Sequence, residues 1–263
     1  MMGKVWLRYA MALWMFIGSM QLFAADDNDI NKSYRKAAKR VRFTIRANAK
    51  FNRAIKGERV PLEEVEGELN RFFEALDTLG DGFVKKSGLK YVMICRNLQL
   101  NGMPCAGIAS GDCIYLNVGF SKKTVYHEMF HIFDPKRNNK KWLKLNHKNF
   151  IYRGIDFPDR PIGKAKHNKI KRHYSKNTRD FNGDFASRYA QSNEVEDRAE
   201  TFSYMIDRGP LFVQRAEKSP YLYNKMVYII DMTDRSSLLG KAFWQKILGI
   251  DVSTLKMRKA VGE

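Results

Sequence analysis

The chain has 263 residues, 44% of them hydrophobic and 13% aromatic, and a formal net charge of +19 at pH 7. This composition excludes a wholly disordered chain, because it supplies enough apolar surface for one substantial core. The excess of Lys and Arg favours an acidic partner, such as nucleic acid, an anionic membrane or an anionic polymer, without specifying which.

The first 25 residues have the pattern of an export signal. Lys4 and Arg8 precede an apolar run, Ala10 to Ala25, which matches the core of a signal peptide in length and is short for a membrane span. The two alanines that end the run suit cleavage before the acidic stretch that follows. We therefore expect a signal peptide at 1–25 and a periplasmic or secreted product. The alternative is an uncleaved segment that anchors the chain in a membrane.

Residues 26–82 are predicted to form a basic helical N-terminal segment. Basic and apolar residues alternate at helical spacing from Asn31 to about Ile55. A second helix is predicted after Pro61, which suits a first helical position, and Gly80 is expected to stop it.

A β region follows. Tyr91–Cys95 and Cys113–Val118 are rich in Val, Ile and Tyr and are predicted to be short strands, with a hairpin signal at Asn101-Gly102 between them. We expect the strand Ile114–Val118 to be an exposed edge on which an extended peptide could lie.

The three cysteines allow one disulfide in an exported protein. A bond between Cys105 and Cys113 would close a short glycine-rich loop and is the favoured pairing. The alternative is that these two residues and Cys95 are free thiols packed in the sheet.

The stretch TVYHEMFHIFD, residues 124–134, is predicted to lie on a helix that is capped by Ser121. His127 and His131 are one turn apart, so that both imidazoles can bind one tetrahedral Zn²⁺. Glu128 is rotated by about 100°, which places its carboxylate beside the metal, where a base for a water molecule belongs. The alternative is an amphipathic core helix with two incidental histidines.

Catalytic zinc requires a third protein ligand and an open coordination position. The later stretch SNEVEDRAETF supplies Glu196 and Glu200, which share one helix face. We predict that Glu196 is the third ligand and that Glu200 accepts a hydrogen bond from a ligand histidine and fixes its orientation. Glu194 is a rival ligand, and Glu196 could instead form a capping box with Asn193.

Between these motifs lies a long polar, basic insertion at 135–182. We expect its histidines to be surface residues: His147, His167 and His173. The stretch 136–176 could bind an anionic polymer or membrane surface, or could be a solvated loop, and no specific nucleic acid is predicted. Four of its aromatic residues could stack on a ligand or tie the segment down: Trp142, Phe150, Tyr152 and Tyr174. After the insertion, helices are predicted from Phe185 to Ile206 and in two later segments.

The HExxH helix with a downstream E-x-x-x-E helix resembles the gluzincin metallopeptidases. More narrowly, YAQSNEVEDRAETF resembles a segment of the anthrax lethal factor catalytic-domain family and related bacterial zinc peptidases, in which a tyrosine precedes the ligand glutamate by seven positions. The resemblance implies that His127, His131 and Glu196 bind zinc, that Glu128 is the general base, and that Tyr189 donates a hydrogen bond to the oxyanion. It covers roughly 91–230 and has no counterpart for the insertion, so it does not imply a substrate.

These observations predict an α+β fold. We expect a zincin-like metallopeptidase domain at 83–263, with a small antiparallel or mixed sheet and an active-site helix, behind the helical N-terminal segment. The leading functional hypothesis is a zinc-dependent endopeptidase that acts on polypeptides. The alternatives are a non-catalytic basic module of zincin fold that binds an anionic surface, and a cell-wall amidase.

Overall fold

The computed structural model describes residues 44–45, 51–134, 140–153 and 180–259. The predicted signal peptide, the residues 154–179 of the insertion and the two histidines within them lie outside these ranges. Six strands are present in the described ranges: β1 (Thr44–Ile45), β2 (Ile55–Glu58), β3 (Tyr91–Leu100), β4 (Met103–Pro104), β5 (Gly107–Ser110) and β6 (Cys113–Asn117).

Eight α-helices are described: α1 (Leu62–Leu79), α2 (Asp81–Ser87), α3 (Lys122–Phe133), α4 (Lys140–Leu143), α5 (Glu194–Arg208), α6 (Pro210–Ala216), α7 (Pro220–Arg235) and α8 (Lys241–Leu248). The predicted α+β class with a small mixed sheet is therefore confirmed. In the described part of the chain, no helix is both long and apolar enough to span a bilayer.

The sheet has the order β1-β3-β6-β5. Strands β1 and β6 run parallel to β3, whereas β5 is antiparallel to β6; β2 and β4 pair with the far half of β3. The β3–β4 turn contains Asn101 and Gly102 at positive φ, as the hairpin signal predicts. The prediction of an exposed edge at Ile114–Val118 is wrong, because β6 is paired on both sides and β5 lies at the edge.

Two further expectations are corrected by the β region. Thr44–Ile45 and Ile55–Glu58 fall in the segment 26–82 that was predicted to be helical, but both form strands beside β3. Thr and Ile are residue types that favour strands. The favoured Cys105–Cys113 disulfide is absent: both residues and Cys95 are free thiols. Cys95 and Cys113 are buried in an apolar cluster with Met93, Leu98 and other sheet residues, and Cys105 packs partly buried against it.

The described chain divides into two compact units. The first comprises the sheet and the start of α1, within residues 1–73 and 89–120. The second comprises the remaining helices, within residues 74–88 and 121–263, and its core includes Phe130, Phe202 and Trp244. All of the predicted site residues belong to this second, helical unit.

Candidate metal centre

Helix α3 presents the two histidines of the HExxH motif. The Ser121 hydroxyl caps the helix by accepting a hydrogen bond from the Thr124 amide at 3.1 Å, and Asp134 ends it. The apolar residues Val125 and Met129 are fully buried and fix the helix in the core. His127 and His131, one turn apart, consequently project together from the other side, with ring centroids 4.6 Å apart.

Helix α5 begins later than the sequence pattern predicts. Asn193 is extended and caps the helix by accepting from the amides of Val195 and Glu196, at 2.8 and 3.0 Å. The preceding residues therefore do not continue the helix, and Tyr189–Gln191 form a separate 3-10 turn. Asn193 does cap the helix, but the Glu196 carboxylate contacts the histidines of α3, which argues against the capping-box alternative.

Three donor atoms from α3 and α5 meet in a triangle. The Nε2 atoms of His127 and His131 are 2.9 Å apart, and the Glu196 Oε2 lies 3.0 Å from the first and 3.2 Å from the second. Within the described residues, this is the group of His, Cys, Asp and Glu side chains whose donor atoms are close enough to share a metal ion. Glu194, the rival ligand, is not part of it.

The chemistry of the three donors fits zinc. Tetrahedral Zn²⁺ with bonds of about 2.0–2.2 Å separates its ligands by about 3.3–3.5 Å, only a few tenths of an ångström more than the distances observed here. Two imidazoles and one carboxylate also form the set that leaves a fourth position open in catalytic zinc sites. The structure thus brings the three predicted ligands together, and zinc binding by them remains a prediction.

Glu200 lies one turn beyond Glu196 and contacts the far side of His127. Its Oε1 is 3.0 Å from the His127 Nδ1 and 3.1 Å from the Lys123 Nζ, and its Oε2 accepts from the Ser187 hydroxyl at 2.5 Å. The contact with His127 is short, although it is bent away from ideal hydrogen-bond geometry. A carboxylate at this position places the imidazole proton on Nδ1 and leaves the Nε2 lone pair available for a metal.

The charges of the cluster are mutually stabilised. Burial lowers the pKa of His127, but its contacts with the carboxylates of Glu196 and Glu200 outweigh burial and raise the pKa to about 10. Burial likewise opposes ionisation of Glu200, yet the contact with His127 holds the pKa of Glu200 at about 2. The two histidines lower the pKa of Glu196 in the same way. These pKa shifts favour a protonated imidazole between two carboxylates, so metal binding at Nε2 should release a proton.

Glu128 and Tyr189, the two predicted catalytic groups, lie in the same centre. Glu128 is buried on α3 next to His127, and its charge acts on both His127 and Tyr189. The Tyr189 ring centroid is 6.2 Å from that of His127, and the residue is 36% exposed. Burial of its hydroxyl, followed by the charges of Glu196 and Glu128, raises the pKa of Tyr189, so that the phenol remains a proton donor at neutral pH.

No protein-family model matches the chain, and no curated protein matches it. Among solved structures, a Bacteroides caccae protein provisionally described as a zinc-binding metallo-peptidase matches with a TM-score of 0.55. The match covers 89% of this chain and 95% of that chain at 12% sequence identity. The fold is similar to that of a metallopeptidase. At this identity the likeness concerns the fold alone.

In this metallopeptidase-like fold, a buried ion pair that sequence reasoning missed joins the two ligand-bearing helices. The Arg198 guanidinium on α5 contacts the Asp134 Oδ2 at the end of α3 through two nitrogen atoms, each at 2.6 Å. Both side chains are only 1% exposed. Arg198 lies two residues after Glu196, and Asp134 lies three residues after His131. The ion pair therefore joins α3 and α5 next to the candidate ligands.

A second buried network attaches the insertion to α5. The Asp197 Oδ2, on the residue after Glu196, accepts hydrogen bonds from the Trp142 indole at 3.0 Å and the Tyr152 hydroxyl at 2.7 Å. Lys225 on α7 completes the network at 2.9 Å and lies 3.4 Å from the centre of the Phe185 ring. Burial raises the pKa of Asp197 and lowers that of Lys225, even though each stabilises the charge of the other.

The described aromatic residues of the insertion consequently tie it to the protein. Trp142 is fully buried, and Phe150 and Tyr152 pack against Phe185 and Phe181. His147 contacts the rings of Phe181 and Tyr221 and is not part of the metal-capable group. A lysine within an otherwise apolar stripe of α7 is the sequence signal that could have indicated the buried network.

Proposed function

We propose that this protein is a zinc-dependent endopeptidase of the gluzincin type. The observation that carries the proposal is the triangle of His127, His131 and Glu196, with separations of 2.9–3.2 Å. The metallopeptidase-like fold supports it. A zinc ion held by these three residues would polarise the scissile carbonyl group and make a bound water molecule more acidic.

The remaining groups have roles that follow from their positions. Glu128 takes a proton from the attacking water and returns it to the leaving amine when the peptide bond breaks, so that it is regenerated. Tyr189 retains its proton and donates a hydrogen bond to the developing oxyanion of the substrate carbonyl. Glu200 holds the imidazole of His127 in the tautomer that presents Nε2. The predicted signal peptide at 1–25 extends the proposal to a periplasmic or secreted enzyme.

Cleavage of an unfolded protein such as casein tests this proposal. Wild-type protein should cleave it, a zinc chelator should abolish cleavage, and added zinc should restore it. Glu128→Gln should lower kcat/KM by about 10²–10⁴-fold, because the base is lost while the three donors remain. Glu194→Gln is the matched control: it makes the same change of carboxylate to amide near the centre and should stay within about twofold of wild type.

Two results would contradict the proposal. One is cleavage that the chelator does not affect, and the other is wild-type activity in Glu128→Gln. Equal losses of activity in Glu194→Gln and Glu128→Gln would also count against it, because they would give no reason to choose Glu128 as the general base.

A further inference from the structure

The hydroxyl of Ser187 links two parts of the candidate centre. Ser187 Oγ lies 2.5 Å from Glu200 Oε2 and 3.1 Å from the amide nitrogen of Ala190. A charged carboxylate can only accept, so the single hydroxyl proton is donated to Glu200. The hydroxyl oxygen is then free to accept from the Ala190 amide. The Ser187 hydroxyl thus acts both as a donor and as an acceptor.

The carboxylate at one end of this link also contacts a candidate zinc ligand. Glu200 Oε1 lies 3.0 Å from the Nδ1 of His127, while Oε2 binds Ser187. The two oxygens belong to one rigid planar group. The contact with His127 and the hydrogen bond from Ser187 therefore constrain the same carboxylate orientation.

The other end of the link is the turn that carries Tyr189. Tyr189–Gln191 form a 3-10 turn, closed by a hydrogen bond from the Ser192 amide to the Tyr189 carbonyl at 2.9 Å. The Ala190 amide, in the middle of the turn, donates to Ser187. Tyr189 is 36% exposed, and its side chain also interacts with Glu196, so the position of its backbone and that contact together place its hydroxyl.

We infer that Ser187 is a positioning residue, whose hydroxyl holds the turn of Tyr189 in a fixed relation to the imidazole of His127 through Glu200. Its catalytic consequence rests on the proposed function, in which Tyr189 donates to the oxyanion. An error of about 1 Å in the position of such a donor is enough to cost up to about 10²-fold in rate. Ser187 itself does not touch the reacting atoms.

The catalytic test combines Ser187→Ala with Tyr189→Phe. Ser187→Ala should lower kcat about 10-fold with KM unchanged, because the affected interaction forms only in the transition state. In the Tyr189→Phe background it should cause no further loss, since Ser187 acts through the hydroxyl that Tyr189→Phe removes. Ser187→Thr retains a hydroxyl and should restore most of kcat. The control Ser203→Ala removes a buried hydroxyl of α5 that donates to the backbone carbonyl of Glu200, not to a side chain of the centre, and should leave kcat within about twofold.

Two measurements independent of activity separate this role from a general structural one. Ser187→Ala should retain wild-type zinc affinity within about threefold, whereas Glu200→Ala should lose about 10–100-fold. Hydrogen exchange in the segment 187–192 should become faster in Ser187→Ala, because the Ala190 amide loses its acceptor, while exchange in α3 stays unchanged.

Equal losses of kcat from Ser187→Ala in both backgrounds would overturn the inference, and so would unchanged exchange in 187–192. A wild-type protein that binds zinc and cleaves no protein would defeat the proposed function instead. In that case, faster exchange in Ser187→Ala would still support the link through Ser187, and unchanged exchange would still refute it.

Discussion

The carboxylates of the candidate centre differ in their surroundings, and these differences support the different roles that we propose for them. Glu196 contacts the Nε2 atoms of both histidines, and Glu200 contacts the opposite nitrogen of His127 together with Lys123 and Ser187. Both therefore remain charged at low pH, Glu200 down to about 2. Glu128 is buried on the same helix as the histidines and lies outside the donor triangle, which is compatible with the general-base role proposed for it.

The surroundings of the three cysteine thiols also differ, so their reactivities should differ. Burial raises the pKa of Cys95 from its ordinary value of 9.0 to about 12, so that very little thiolate forms at pH 8. We expect a thiol reagent at pH 8 to label the half-buried Cys105 first, and Cys95 and Cys113 only after denaturation. Mass spectrometry of labelled peptides checks this order, and Cys105→Ser should remove the labelling of native protein.

The raised pKa of Cys95 also has a defined effect on stability. The folded state retains the Cys95 proton above pH 9.0, where the unfolded chain releases it. The resulting stabilisation is fully present below that pH and is lost as the pH rises towards 12. Rapid labelling of Cys95 in the native protein, or a disulfide between Cys105 and Cys113, would contradict this description of the cysteines.

At the scale of secondary-structure elements, the buried pair Asp134–Arg198 should hold α3 and α5 together. Arg198→Met would leave the Asp134 carboxylate buried without its counter-charge, and we expect a loss of about 3–5 kcal/mol in the free energy of unfolding. Urea denaturation with a chelator present measures this loss without a contribution from bound metal.

Arg235→Met is the matched control for this prediction. Arg235 pairs with Asp231 on the surface of α7, where the two side chains are 68% and 48% exposed, so its replacement should change stability by less than about 1 kcal/mol. Similar losses in both variants would show that burial does not distinguish the two ion pairs.

Elements that depend on local signals could be predicted from the sequence. Helix α3 follows from the Ser121 cap and the apolar spacing behind it, and the β3–β4 turn follows from Asn101-Gly102. The strand at Thr44–Ile45 could not be predicted, because it forms through pairing with the distant Tyr91 and Val92. The spacing of basic and apolar residues from Asn31 to about Ile55 favours a helix instead.

The same distinction applies to the centre. The spacing of His127 and His131 and that of Glu196 and Glu200 are local helical properties and could be predicted. Their convergence was expected only because catalytic zinc requires a third ligand and because of the family resemblance. The link through Ser187 depends on how a 3-10 turn meets α5, and sequence spacing does not encode that arrangement. Lys225 gives a partial signal, because it lies in an otherwise apolar stripe of α7. Its partner Asp197 lies on another helix and could not be identified from the sequence.

At the scale of the whole molecule, the chain shares a fold with the Bacteroides caccae protein at 12% sequence identity. A fold can be shared at so low an identity because many different apolar sequences can pack the core of one fold. Function has to be argued from the site, because one fold can support unrelated activities. The proposed activity therefore requires that the helical unit hold a metal ion through α3 and α5.

Zinc content of the purified full chain tests this claim most directly. We predict one zinc ion per chain in wild type and in Glu128→Gln, and a large loss of zinc in His131→Ala and Glu196→Ala. Zinc should also raise the melting temperature of wild type, because a ligand that binds only the folded state stabilises it, and should not raise that of Glu196→Ala. A folded wild-type chain that takes up no zinc, or a Glu196→Ala variant that binds it as tightly as wild type, would contradict the account.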